Sequence, residues 1–157
     1  MRILGIDPGS RTTGYGVIER TPRGIRYVEC GVITPRTQNG LSTRLVEIFE
    51  DLCSLIDELE PDVAAIENIF NKLHPRAALT LGHARGVAML AAARAQLRVF
   101  EYPPATVKRA VAGHGRASKP EVNAMVRAAC GLHKAPRPDA SDALAIALCH
   151  AYTGARS

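Results

Sequence analysis

The chain has 157 residues, of which 46% are hydrophobic and 22% are charged, the balance of one ordinary globular domain. It has no run of 18 apolar residues and no signal-peptide pattern, so neither a membrane span nor export is expected. The four cysteines lie far apart without a Cys-x-x-Cys pair, which argues against a zinc knuckle, a redox motif or a dense disulfide framework. Free thiols favour the reducing cytoplasm as the location.

Positive charge is concentrated in one half of the sequence. The net charge is only +5, but residues 68–138 contain twelve Lys and Arg against two acidic residues. The remainder has eight basic and thirteen acidic residues. Such a basic stretch is typical of a polyanion-binding surface, and its ordinary alternative is a solvated face.

The first predicted element is a short buried strand that ends in a carboxylate. Residues 3–6 are mainly apolar, Asp7 follows them, and Pro8-Gly9 forces a turn. A charge at an apolar strand end is unfavourable without a partner, so Asp7 needs a cation or hydrogen-bond donors. The structural alternative is that Asp7 accepts hydrogen bonds from the backbone of that turn.

Two more strands, a helix and a second buried strand follow. Residues 13–20 and 25–34 complete an antiparallel meander, and Ser42 is predicted to cap an amphipathic helix that runs to about residue 60. The strand over residues 63–66 ends at Glu67. Strand, helix and strand form a crossover, so this strand should lie parallel to the first, with both carboxylates at one edge.

The second half alternates helices, predicted over residues 76–95, 106–112 and 119–130, with one short strand over residues 99–102. Ser118 is predicted to cap the helix that begins at residue 119. The last helix follows Pro138 and carries Asp139 and Asp142 on one face of its first turn. The structural alternative for this pair is a capping box.

Four carboxylates can therefore converge, two at neighbouring strand ends and two at a helix start. Clustered carboxylates repel one another unless cations hold them. Oxygen ligands suit Mg²⁺ or Mn²⁺ rather than zinc, and two such ions about 3.5–4 Å apart are the usual means of hydrolysing phosphodiesters. The pattern indicates a metal-dependent nuclease with two Mg²⁺ ions, for which Mn²⁺ should substitute.

Five stretches, at residues 3–11, 13–18, 65–67, 81–88 and 139–147, resemble the RuvC Holliday junction resolvases of bacteria, in the same order across nearly the whole chain. The resemblance implies an α/β, ribonuclease H-like fold, a mixed five-stranded sheet flanked by helices, in a single domain over residues 1–157. It implies a homodimer that resolves four-way DNA junctions by paired symmetric nicks with Mg²⁺. Its place would be beside the RuvA–RuvB branch-migration complex, in recombination and DNA repair.

The resemblance also assigns residues. The four acidic metal residues of the family fall on Asp7, Glu67, Asp139 and Asp142. The histidine that some relatives have at the third acidic position leaves that role less fixed. The family's aromatic after the second carboxylate falls on Phe70, which is expected to stack on an unpaired base, the alternative being packing under its loop. The family's basic DNA contacts fall on Lys108 and Lys119.

Two other functions fit part of the pattern. A non-catalytic junction-binding protein would need the basic half but not all four acids. A nucleotide-binding fragment of the sugar kinase and actin class would share the first strand, but it needs a second lobe, and neither nucleotide-binding glycine motif occurs. The helix with Gly82 and Gly86 is a candidate dimer surface, while the residues that read the cleavage sequence are not evident.

Overall fold

The computed structural model describes residues 1–36, 40–68 and 74–154. These residues form five strands and five helices, which in chain order are β1 (Arg2–Asp7), β2 (Thr13–Thr21), β3 (Gly24–Ile33), α1 (Leu41–Leu59), β4 (Val63–Glu67), α2 (Pro75–Arg94), β5 (Arg98–Tyr102), α3 (Pro104–Ala112), α4 (Lys119–Cys130) and α5 (Pro138–Thr153). Among the helices of these ranges, none has both the length and the apolar character that crossing a bilayer requires.

The strands form one mixed sheet in the order β3-β2-β1-β4-β5. The pairs β1–β2 and β2–β3 are antiparallel, whereas β4 is parallel to both β1 and β5. The predicted meander and the predicted crossover through α1 are both confirmed. β1 is therefore the middle strand, with its carboxyl end beside that of β4.

Alternation along the strands separates two helical layers. Leu4 and Ile6 of β1 belong to the core formed with α1 and α2, whereas Ile3 belongs to the core formed with α3, α4 and α5. Successive side chains of a strand point to opposite faces. Asp7, two residues beyond Gly5, consequently faces the layer of α5.

Helix α5 lies directly against the sheet through close backbone contacts. A Cβ on Gly5 would overlap the carbonyl oxygen of Ala143, and a Cβ on Gly14 would overlap that of Asp139. Any larger residue at either position would push the helix away. The two glycines thus allow the short distance between α5 and the strands β1 and β2.

The helix starts test the capping predictions. Ser118 caps α4 as predicted: its hydroxyl accepts a hydrogen bond from the Glu121 amide at 3.4 Å, and the Glu121 carboxylate accepts one from the Ser118 amide at 2.7 Å. The prediction for Ser42 was wrong, because the cap of α1 lies two residues earlier, at Gly40, which makes no side-chain cap bond. Ser42 is therefore inside the first turn.

Candidate active site

The two strand-end carboxylates are neighbours. Ile6 pairs with Ile66 in the parallel β1–β4 register, so Asp7 and Glu67 follow as the next residues on strands about 4.8 Å apart. Ile6 and Ile66 both pack on the α1–α2 side. Alternation then directs both carboxylates toward the opposite face, where α5 lies.

The first turn of α5 begins beside this pair. Gly14 is the β2 partner of Asp7, and its backbone touches the backbone of Asp139. Arg137 occupies the cap of α5 with no side-chain cap bond, and Pro138 is the first helical residue. The capping-box interpretation of Asp139 and Asp142 is therefore wrong, since neither carboxylate closes the helix start.

Electrostatics link the four acids, which we call the carboxylate cluster (Asp7, Glu67, Asp139 and Asp142). Burial, followed by the charges of Asp142, Glu67 and Asp139, raises the pKa of Asp7 to about 7. Burial also raises the pKa of Glu67, again with a contribution from Asp142. Such shifts arise where like charges share a poorly solvated place.

The turn after β1 does not supply the partner that the structural alternative for Asp7 requires. The Gly9 amide donates to Thr13 Oγ1 at 3.3 Å, and the Thr13 hydroxyl donates back to the Gly9 carbonyl at 2.7 Å. Pro8 has no amide hydrogen to offer. The polar groups of Gly9 in this turn are therefore bonded to Thr13 rather than to the Asp7 carboxylate.

Both predicted basic contacts lie at the cluster. Lys119, the first residue of α4, donates from Nζ to Asp142 Oδ2 at 2.9 Å. Lys108 of α3 joins Lys119, Glu67 and Asp142 around a cavity of about 230 Å³. The rest of this cavity is apolar, lined by Pro104, Val107, Val122 and Ala145.

Several supporting contacts were not predicted from sequence. Ser141, only 1% exposed, donates to Asn123 Oδ1 at 2.8 Å and so joins the first turn of α5 to the second turn of α4. Arg85 of α2 donates to the Glu67 carbonyl at 3.4 Å and pairs with Glu101 of β5. A signal for Ser141 was available, namely a hydroxyl in an otherwise apolar, buried helix.

The carboxylate oxygens of the cluster are suitable ligands for a hard cation such as Mg²⁺, although the four side chains do not yet point at a common centre. Within residues 1–36, 40–68 and 74–154, no three His, Cys, Asp or Glu side chains already form a group that could hold a metal ion. Binding would therefore draw the carboxylates together. Phe70 lies outside the described residues, so its stacking role stays a prediction.

Comparison with known proteins assigns the chain to a family. Residues 3–150 match the family model of crossover junction endodeoxyribonuclease RuvC. The chain is 48% identical over 150 residues to the RuvC of Legionella pneumophila, covering 96% of this chain and 86% of that one. It is 49% identical over 154 residues to the RuvC of Chloroflexus aggregans, covering 98% and 94%.

A solved structure agrees with these sequence matches. Thermus thermophilus RuvC in complex with a Holliday junction substrate aligns with a TM-score of 0.91 and 36% identity, covering 98% of this chain and 94% of that one. The ribonuclease H-like fold expected from the sequence is confirmed by this likeness. The chain belongs to the RuvC family of crossover junction endodeoxyribonucleases.

Proposed function

We propose that the carboxylate cluster is the hydrolytic centre with which this endodeoxyribonuclease resolves Holliday junctions. The observation that carries the proposal is the meeting of two strand ends and one helix start, where burial and mutual repulsion raise the pKa of Asp7. In a protein that only bound junctions, four carboxylates on neighbouring elements would repel the DNA phosphates without any benefit. The non-catalytic alternative is accordingly not favoured.

The family is one of divalent-metal-dependent nucleases, and for this chain we propose two Mg²⁺ ions, with Mn²⁺ as a substitute. Asp7, Glu67, Asp139 and Asp142 would hold them, since carboxylate oxygens are the ligands that these ions prefer. When bound, such a pair of ions supplies an activated water and stabilises the leaving oxygen. The raised pKa of Asp7 means that a cation and a proton compete for its carboxylate near neutral pH.

The lysines at the rim would hold the DNA strand. Lys108 and Lys119 border the same cavity as Glu67 and Asp142, so a phosphate bound to them lies next to the cluster. Phosphate contacts of this kind release counterions, and junction binding should weaken steeply with salt. A flat salt response would contradict this use of the basic half.

For Phe70 we propose stacking on a base that is unpaired near the crossover. Its position three residues after Glu67 brings it close to the cluster along the chain. Phe70→Ala is expected to change junction affinity little and to reduce cleavage more strongly. Unchanged cleavage would contradict the stacking role.

We further propose that the chain acts as a homodimer through one face of α2. Leu79 and Leu90 are 64% and 59% exposed, and with Gly82 and Gly86 they follow helical spacing along one side. Large apolar side chains left exposed in this way mark an interaction surface. Leu90→Glu should yield a monomer in sedimentation experiments, whereas a dimeric variant would contradict this interface.

A homodimer would carry two clusters, one for each of two symmetric nicks. The remaining expectations rest on the family resemblance: assembly with RuvA–RuvB and action in the cytoplasm, where chromosomal DNA is processed. We also propose that residues 1–157 act as one domain, because a single sheet supports both helical layers.

The deciding experiment is cleavage of a mobile four-way junction that is end-labelled in each strand in turn. Reactions contain Mg²⁺ or EDTA, with the wild type, Asp7→Asn, or Asp51→Asn as an exposed control on α1. Paired symmetric nicks that require Mg²⁺ and Asp7 but not Asp51 are expected. Junction binding without nicks, across several junction sequences and also with Mn²⁺, would instead support the non-catalytic alternative.

A further inference from the structure

Lys119 brings a positive charge directly into the carboxylate cluster. Its ammonium group lies 2.9 Å from Asp142 Oδ2, the distance of a charge-assisted hydrogen bond. A lysine ammonium group is cationic at neutral pH.

The fold builds this contact. Lys119 is the first helical residue of α4, directly after the Ser118 capping box that fixes where the helix begins. One turn later, Asn123 accepts the hydrogen bond from Ser141, the residue just before Asp142. The starts of α4 and α5 are therefore fixed relative to each other, and the ammonium group of Lys119 points at the Asp142 carboxylate.

A divalent cation would bind the same Asp142 carboxylate with which Lys119 pairs. Asp142 is one of four proposed ligands, and in the described part of the chain no three candidate ligands have converged on a common point. An ammonium group and a divalent ion repel each other strongly at contact distance. Metal binding at this carboxylate therefore weakens the Lys119–Asp142 pair, and the repulsion between the two cations reduces the observed metal affinity.

We propose that Lys119 is an internal counter-ion of the carboxylate cluster, which keeps the affinity for divalent cations low until a DNA phosphate draws the side chain away. The inference rests on the proposed function, since it takes the cluster as a metal site and the lysine rim as a phosphate site. Binding of metal and binding of DNA then favour each other to the same extent, because such coupling is reciprocal. The lysine thereby links loading of metal to the presence of substrate.

The test measures Mn²⁺ binding to the DNA-free protein, by the loss of the free-ion signal in electron paramagnetic resonance at low salt. Lys119→Met is expected to bind Mn²⁺ about tenfold more tightly than the wild type. Lys119→Arg keeps the charge, and Lys134→Met removes an equal charge from the exposed loop before α5. Both controls should stay within about twofold of the wild type, and thermal unfolding confirms that each variant is folded.

Equal or weaker binding by Lys119→Met overturns the counter-ion role and leaves the proposed metal site intact. Absence of Mn²⁺ binding in both proteins overturns the metal site as well, so the two failures are distinguishable. The reciprocal measurement is junction affinity with Ca²⁺ against EDTA at constant ionic strength, with the junction verified as uncut. Ca²⁺ should strengthen binding more in the wild type than in Lys119→Met, and an equal gain in the two proteins overturns the coupling.

Discussion

Replacing Asp7 with asparagine should stabilise the protein when no metal is present. Burial first, and then the charges of Asp142, Glu67 and Asp139, together raise the pKa of the Asp7 carboxyl from 3.8 to about 7. The folded protein therefore binds a proton that the unfolded chain releases. Asparagine has nearly the same shape and never carries that charge.

The size of the effect follows from the two pKa values. At about 1.36 kcal/mol per pH unit, a rise from 3.8 to about 7 corresponds to about 4 kcal/mol. Because the folded pKa is the higher one, the wild type has its full stability below pH 3.8 and loses this amount as pH rises to about 7. Relaxation and solvent reduce the amount, so about 2–4 kcal/mol is expected at pH 8.

The assay is urea unfolding in EDTA at pH 8 and pH 4.5, with Asp51→Asn as the exposed control. Asp7→Asn should exceed the wild type by about 2–4 kcal/mol at pH 8 and by about 1 kcal/mol at pH 4.5. Added Mg²⁺ should stabilise the wild type and leave the variant unchanged, because ligands stabilise the state that binds them. Equal stabilities at both pH values, or a weaker variant at pH 8, would refute the electrostatic reasoning.

Three further changes test the supports of the site. Gly14→Ala should cost about 3 kcal/mol or more in thermal unfolding and abolish cleavage, because its Cβ overlaps the Asp139 backbone, and full activity would contradict that packing. Ser141→Ala should lower kcat about tenfold with a loss of only about 1 kcal/mol in stability, since it frees Asn123, and an unchanged kcat would exclude a positioning role. Lys108→Met should reduce the salt slope of junction affinity by about 1, and an unchanged slope would exclude a phosphate contact.

The positions of Asp7 and Glu67 could be predicted from the sequence, because they follow from the hydrophobic pattern of each strand and from one rule of sheet topology. An apolar run that stops at Asp7, and another that stops at Glu67, each define a strand end. The crossover through α1 makes the two strands parallel, so their carboxyl ends share an edge. Neither step needs knowledge of distant side chains.

The helical part was ambiguous for a physical reason. Two acids three residues apart fit both a capping box and a metal-binding turn, and by themselves they favour the capping box. The capping alternative is removed only when the start of α5 is known, because Pro138 as first helical residue leaves Asp139 and Asp142 beyond the cap. The ion pair between Lys119 and Asp142 joins residues 23 positions apart in the sequence. It depends on how α4 packs against α5, and the local sequence does not determine that packing.

The arrangement of supports around the cluster follows from its repulsion. Four carboxylates cannot hold themselves together, so contacts made elsewhere must keep their scaffold in place. Gly5 against Ala143 seats α5 on the sheet, and Ser141 with Asn123 seats α4 on α5. Lys119 offsets part of the remaining repulsion through its ion pair with Asp142. On our counter-ion proposal, a fully buried cation would stabilise the protein more and would exclude the metal, whereas the exposed Lys119 side chain would be free to turn toward a DNA phosphate and leave the carboxylates to the metal.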